Sequence, residues 1–231
     1  MDSHLEAVAS VQKSESIGTF AWLEEQSRLA AEQPADGVKA REAFLRLLSN
    51  VVTPELKVIG FRKKQQRFVR WVGEYCQVVE YQGDRYSTAM RFKFRVNLGI
   101  LSKKVERPMG LALSDEKFPR EYDCNWRIGL GDLILPKPAD WWWALDLRAD
   151  PVAVVDEATR FLLGYGIPFL EWAISPEGVR VLDRLLVNRT AKEVVLSGQS
   201  VEGREIISKC FAPRQSSIPD AGSKDKQARI G

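Results

Sequence analysis

The sequence predicts an α+β domain in which a mainly antiparallel sheet of about five strands is packed on one face by helices, with helical extensions at the N and C termini. Two observations predict this class. Several segments between residues 67 and 147 alternate apolar and polar side chains or are rich in Val, Phe, Tyr and Trp, which is typical of strands. Segments on either side of them place apolar residues at helical spacing.

The segment 90–101, MRFKFRVNLGIL, carries the clearest strand pattern. Its odd positions from Arg91 to Asn97 are polar and its even positions are apolar, so the two sets lie on opposite faces of a strand. We expect one face to meet a hydrophobic core and the other to present cations to water or to a partner. Further strands are predicted at 67–72 and 75–82, joined by a tight turn, and at 124–131 and 141–147.

Helices are predicted at 17–32, at 38–60, after Asp150 and after Ser175. Pro54 either kinks the helix at 38–60 or starts a second one, and Pro168 kinks or restarts the helix that follows Asp150. The stretch 192–211 fits a helical turn or a strand pair about Gly198. We therefore divide the chain into an N-terminal helical extension, the α+β domain, a C-terminal extension and a disordered tail, at residues 1–37, 38–188, 189–211 and 212–231.

The cysteines and the N-terminal sequence predict a cellular location. Cys76, Cys124 and Cys210 are odd in number, with no close pair and no metal-ligand spacing, which favours a reducing compartment. The N terminus lacks the basic and apolar regions of a secretory signal. The apolar run at 161–170 is much shorter than the ~20 residues of a membrane span. We expect a soluble cytoplasmic protein with no membrane partner.

Charge is unevenly distributed along the chain, although the formal net charge is only +3. Residues 60–107 hold twelve Lys and Arg against four Asp and Glu, a local net of +8, and residues 108–160 hold six against ten, a local net of −4. If the two alternating strands share a sheet with aligned apolar faces, the cations lie together on the other face. The predicted binding residues on this face are Arg91, Lys93, Arg95 and Arg127, with Tyr81 at their border.

Three interpretations of this basic face remain open. Cations interleaved with aromatic side chains on an open sheet suit the phosphates and stacked bases of a nucleic acid. They suit an acidic protein surface equally well. The third interpretation is a solvated outer face with cross-strand salt bridges.

Trp141, Trp142 and Trp143 are the remaining predicted binding residues. Consecutive strand residues alternate between faces, so at least one ring is expected at a rim, in a groove or on the outer sheet face. A Trp beside Arg residues is typical of a binding hot spot. Alternatively, the ring packs beneath the loop at 136–138.

Nothing in the sequence predicts a catalytic residue, a cofactor or a bound metal. The only histidine is His4, near the N terminus, and no Gly-rich phosphate loop follows a strand. Four carboxylates do gather around the strand at 124–131, and they fit either a metal-dependent or acid/base site of nuclease type near Lys93 or Arg127, or ordinary pairing with the arginines of the sheet. We favour pairing. These carboxylates are Glu121, Asp123, Asp132 and Asp140.

Five sequence blocks together resemble a known bacterial family. The blocks are GFRKK at 60–64, RFKFRVNLGI at 91–100, FPREYDCNWRIGLGDL at 118–133, DWWW at 140–143 and IPFLEW at 167–172. In order and spacing they resemble the family catalogued as domain of unknown function 4304, over roughly residues 40–175. The family usually closes its second strand with a Phe-Gln-Lys-Ser-like sequence, whereas Tyr81, Gln82 and Gly83 keep the aromatic residue and the Gln and lack the Lys. The resemblance implies fold boundaries, and it brings no reaction, ligand or catalytic residue.

The leading functional hypothesis is therefore a non-catalytic intracellular binding protein. Its basic sheet face and Trp cluster would engage an acidic macromolecule, most readily a protein partner such as a toxin or defence component. The alternative is a nucleic-acid-binding protein, with or without metal-dependent nuclease activity. A steep salt dependence of binding to DNA or RNA would favour the alternative.

Overall fold

The structure is a computed structural model that describes residues 39–105, 113, 115–134, 140–188, 194–198 and 200–211. These residues form an α+β fold with a seven-stranded, mostly antiparallel sheet, which confirms the predicted class. The helix predicted at 17–32 and the disordered tail predicted at 212–231 lie outside the described residues.

The strands follow the order β1-β2-β3-β4-β5-β7 across the sheet, and β6 pairs with β4 beside this path. All pairs are antiparallel except β5 with β7, which is parallel. Strand β7 lies in the predicted C-terminal extension, so that extension contributes an edge of the main sheet. The strands are β1 (Arg62–Lys64), β2 (Arg67–Val72), β3 (Tyr75–Gly83), β4 (Arg91–Ser102), β5 (Trp126–Gly129), β6 (Trp143–Asp146) and β7 (Val194–Leu196).

The helices pack mainly against one face of this sheet, where α1 and α5 contact β4. None of the helices in the described ranges has both the length and the apolar character that crossing a membrane requires. The helices are α1 (Ala40–Leu47), α2 (Thr53–Val58), α3 (Leu130–Leu133), α4 (Pro151–Phe161), α5 (Ile167–Ala173), α6 (Pro176–Asn188) and α7 (Val201–Phe211), with a 3-10 turn at Glu121–Asp123.

Two π-helical turns explain how Pro54 and Pro168 fit within helical segments. Leu48–Val52 joins α1 to α2, and Leu162–Gly166 joins α4 to α5. In each case the last amide before the proline, that of Thr53 or Ile167, donates to a carbonyl five residues back instead of four. The proline ring would clash with the carbonyl four residues before it in a regular α-helix. The wider turn therefore lets the helix continue where the sequence predicted a kink or a restart.

The even positions of β4 build the main core as the alternation predicted. Phe92, Phe94, Val96, Leu98 and Ile100 are all at most 3% exposed and belong to one hydrophobic cluster with the helices. The ring of Phe44, from α1, lies 4.8 Å from Phe92 and 4.7 Å from Phe94, centroid to centroid, so aromatic packing joins helix and sheet.

The odd positions of β4 behave differently along the strand. Arg91, Lys93 and Arg95 are partly exposed, whereas Asn97 and Leu101 are buried. The expectation of a solvent-facing side is therefore wrong for the second half of the strand. Residues 115–124 cover that half, and together with β2, β3 and β4 they form a second small core. Its buried members are Val69, Cys76, Val78, Leu101 and Cys124.

A buried glutamine ties the sheet to the helical layer. Gln77 is fully buried; its Nε2 donates to the carbonyl of Leu170 at 2.8 Å, and its Oε1 accepts from Arg70 Nε at 2.7 Å. Arg70 also donates to the carbonyl of Ile59 at 2.8 Å. Because each polar group has a partner, the bridge satisfies groups that would be costly to bury alone.

Candidate functional site

The basic residues predicted on one sheet face do share a face. In the register of β4, Arg91, Lys93 and Arg95 alternate with the core residues, so they point away from the helices. Arg127 lies opposite Gly99, another odd position of β4, and therefore points to the same side. We call the half of this side formed by Arg91, Lys93 and Arg95 the open face.

Strand β4 changes partner on one edge. Strand β6 pairs with Arg91 to Phe94, and β5 pairs with Asn97 to Ile100 on the same edge. Arg95 and Val96 fall between the two pairings. We call this place the strand fork. A depression of about 280 Å³ opens there, and the polar and aromatic residues that line it include Arg95, Asn97, Glu121, Arg127, Asp140 and Trp141.

Arg95 is held at the fork by three partners. Its NH1 donates to Asp140 Oδ1 at 2.9 Å, its Nε donates to Gln82 Oε1 at 2.9 Å, and its guanidinium lies 5.1 Å from the ring centroid of Trp142. The Trp142 indole Nε1 donates to the same Asp140 oxygen at 3.1 Å. The side chain of Arg95 is still 35% exposed, so the guanidinium is oriented and accessible at the same time.

Arg127 lies deeper than Arg95. Its side chain is 18% exposed and its NH1 lies 3.6 Å from Glu121 Oε1. Asn97 lines the same depression and donates from Nδ2 to Gln82 Oε1 at 2.9 Å. The fork therefore contains two arginine–carboxylate pairs, and Gln82 links the first of these arginines, Arg95, to Asn97.

The four predicted carboxylates do not converge on one point. Glu121 and Asp140 line the fork, each paired with an arginine, while Asp123 accepts the amide hydrogen of Arg120 at 2.7 Å. Asp132 is buried, and this burial raises the pKa of its carboxyl above the usual value. Hydrogen bonds from the amides of Gly198 and Gly129 lower the pKa, but by less than burial raises it. Across the described ranges, no group of three or more His, Cys, Asp or Glu could hold a metal ion.

The three tryptophans have three different positions. Trp143 is 2% exposed and stacks on Phe94 at 5.9 Å, so it belongs to the core. Trp141 is partly buried at the wall of the fork, where a Cβ added to Gly131 would clash with the Trp141 Cβ. Trp142 covers Arg95 at the rim. Trp141 thus lies in a groove and Trp142 at its rim, but both precede β6, which begins at Trp143, so strand alternation does not account for their positions.

Tyr81 does not border the basic face. It is 1% exposed in the main core, between Phe44, Phe68 and Phe94, and its register partner is Val96. Odd positions of β3 face the helices because each lies opposite an even position of β4. The residue from this part of β3 that the sequence reasoning missed is the adjacent Gln82, which contacts Arg95 directly.

Taken together, the fold and site define an α+β sheet domain with one face covered by helices and a charged, tryptophan-bordered fork on the other. The chain belongs to the family described as Domain of unknown function (DUF4304), which matches residues 52–172. Neither the curated proteins nor the solved structures contain a match to it. Three of the five sequence blocks, those at 91–100, 118–133 and 140–143, meet at the strand fork.

Proposed function

We propose that this is a bacterial, cytoplasmic, non-catalytic protein that binds an acidic segment of a partner protein on its open face. One observation supports this most directly. Arg91, Lys93 and Arg95 lie two residues apart on one partly exposed side of β4, with Trp142 beside the last of them. Alternate strand residues are about 6.8 Å apart, which is also the spacing of alternate side chains in an extended peptide.

The charges around the open face favour a protein over a nucleic acid. Asp140 lies against Arg95, Glu121 against Arg127, and Asp146 opposite Arg91, so carboxylates are interleaved with the cations. A nucleic acid backbone is uniformly negative and would be repelled by these carboxylates. A protein segment can carry both signs and complement the pattern.

Lys93 is the cation that a partner would reach with least rearrangement. Among the described residues its ammonium has neither an ion pair nor a hydrogen bond, and its side chain is partly exposed.

Trp142 would add apolar contact area next to an arginine, the combination found at binding hot spots, so Trp142→Ala should weaken binding by about 2 kcal/mol.

The test is a charge reversal, Arg91→Glu with Lys93→Glu, against a matched control, Arg46→Glu with Lys57→Glu. The control residues are exposed on α1 and α2, on the opposite side of the sheet, and the change in net charge is the same. Binding is measured by anisotropy with a labelled acidic peptide, and native partners are compared by mass spectrometry after affinity purification.

We expect the reversal to weaken peptide binding by about tenfold or more with an unchanged melting temperature, because like charges would then face each other. Partner proteins should copurify with the wild type and the control and be absent from the reversal variant. Their identity tests the narrower hypothesis of a toxin or defence component. Equal binding by the reversal variant and the control would disprove the proposal.

A further inference from the structure

A second concentration of cations lies in a cleft between the start of α1, the β1–β2 turn and the β3–β4 connection. Two adjoining hollows, of about 510 and 530 Å³, share Arg41 and Gln66. Together they are far larger than a single anion needs, so an extended ligand fits them best. Six cations line this cationic cleft: Lys39, Arg41, Lys63, Arg67, Arg85 and Arg120.

The two acids in the lining are already engaged. Glu80 Oε2 accepts the amide hydrogen of Glu121 at 2.9 Å, and its Oε1 lies 3.7 Å from Arg120 NH1. Asp84 Oδ1 accepts the amide hydrogen of Tyr86 at 3.2 Å. Positive charge is thus in excess here, in contrast to the interleaved charges of the open face. Burial, and to a lesser extent the nearby Lys57, lowers the pKa of Lys63.

Two neutral hydroxyl groups in the cleft, those of Ser87 and Thr88, can also donate hydrogen bonds to a ligand. Ser87 Oγ accepts from the amide of Lys93, and Thr88 Oγ1 accepts from the amide of Arg91, both at 3.0 Å. Neither hydroxyl hydrogen has an acceptor within the part of the chain that the structure describes. A ligand rich in acceptor oxygens and lacking donors complements this lining, and a phosphodiester has that character.

An exposed aromatic ring stands at the edge of the cleft. Tyr86 is 55% exposed, lies between the lining residues Arg85 and Ser87 in sequence, and has the Arg85 guanidinium 4.6 Å from its ring centroid. Unpaired bases stack on such rings, and the flanking arginine binds the adjacent phosphate. A base-paired helix would keep its bases inaccessible to this ring.

We propose that the cationic cleft binds a single-stranded nucleic acid, with phosphates on Lys39, Arg41 and Arg85 and one base stacked on Tyr86. This inference goes beyond the proposed function, because it assigns a different ligand to a different surface. The two surfaces can be tested separately.

The experiment measures the anisotropy of a short labelled oligothymidylate with the full chain over a range of salt concentrations. The variants are Arg41→Glu with Arg85→Glu, and Tyr86→Ala. The controls are Arg91→Glu with Lys93→Glu, and Arg180→Glu with Arg184→Glu, two exposed residues of helix α6 that line neither hollow. Arg41, Arg85 and Tyr86 are exposed, and melting curves verify that each variant is folded. Inorganic polyphosphate and an oligoglutamate peptide serve as competing anions.

We expect the Arg41/Arg85 reversal to weaken oligothymidylate binding by about tenfold or more. It should also flatten the salt slope by about 0.7 for each phosphate that the variant no longer neutralises. Tyr86→Ala should weaken oligonucleotide binding by about tenfold and leave polyphosphate affinity unchanged, since only a base can stack. Both controls should bind as the wild type does.

Three results would overturn the inference. They are no salt-dependent oligothymidylate binding by the wild type, an equal loss of affinity in the cleft variant and the helix control, or competition by oligoglutamate as strong as that by polyphosphate. The last result would assign the cleft to an acidic protein. A fourth result would also overturn it: loss of oligonucleotide binding in the Arg91/Lys93 variant alone would place the nucleic acid on the open face and contradict both the cleft and the proposed function.

Discussion

Replacing Phe94 with alanine should be among the most destabilising single changes in this protein. Its side chain is fully buried, and four aromatic rings surround it at centroid distances of 4.7 to 6.4 Å. Phe→Ala changes in cores cost about 3 to 5 kcal/mol, with larger losses where the neighbours cannot collapse into the cavity. The surrounding rings are rigid, so we expect about 4 kcal/mol.

The adjacent residue provides the matched control. Lys93 is on the opposite side of the same strand and partly exposed, so Lys93→Ala should change the free energy of unfolding by less than about 0.5 kcal/mol. Urea unfolding followed by circular dichroism measures both variants. For a chain of this size the loss of stability in Phe94→Ala corresponds to a fall of about 8 to 16 °C in melting temperature.

Equal losses for the two variants, or a loss below about 1 kcal/mol for Phe94→Ala, would refute the assignment of the even positions of β4 to the core. A change in the urea m-value for Phe94→Ala would instead indicate an altered unfolded or native state, and the energies could then not be compared directly.

Three further predictions concern buried positions. Burial raises the pKa of Cys76 to about 12 and that of Cys124 well above its usual range, so both thiols should resist iodoacetamide at pH 8 until the protein unfolds, as read by peptide mapping; labelling in the native protein would contradict this. Gly131→Ala should lower the free energy of unfolding by about 1 to 3 kcal/mol, because the added Cβ clashes with Trp141. Gly164 has open space around it, so Gly164→Ala should be neutral or stabilising in thermal unfolding. Gln77→Leu should cost about 2 to 3 kcal/mol in urea unfolding, because it leaves a buried carbonyl and an arginine without their partner; a neutral result would show that water replaces the amide.

Local patterns were sufficient to predict the strand β4 and the shared face of its cations. The period of two at Arg91 to Val96 appears directly in burial, because one side of the sheet is covered and the other is open there. From Asn97 onward the same pattern gave a wrong prediction of solvent exposure, because residues 115–124 cover this part of the strand. That stretch has no strand or helix periodicity. Coverage by a distant loop is a tertiary effect that an alternating pattern does not encode.

The misplacement of Tyr81 has a different cause. Both faces of β3 carry buried apolar residues, with Val79 and Tyr81 on one side and Cys76 and Val78 on the other. Where both faces are apolar, periodicity cannot tell which one meets the helices, and a shift by one residue exchanges them. Only the pairing with β4 decides it.

The strand fork was also beyond local prediction, because β5 and β6 bind successive parts of one strand edge. Its components were nevertheless identified singly, as Arg95, Arg127, Trp141 and the carboxylates. The cationic cleft was missed since its residues are spread from Lys39 to Arg120. The basic excess counted over 60–107 was the available signal, and it was assigned entirely to the sheet face.

The two π-helical turns make helix length a stricter constraint than helix composition. Each turn holds one residue more than an α-helical path would need, and each ends two residues before a proline, Pro54 or Pro168. Deleting a single residue such as Asn50 would restore the regular α-helical path between α1 and α2. The ring of Pro54 would then clash with the carbonyl four residues before it, at a cost of about 3 kcal/mol. A one-residue deletion at this exposed position should therefore be more damaging than most substitutions there.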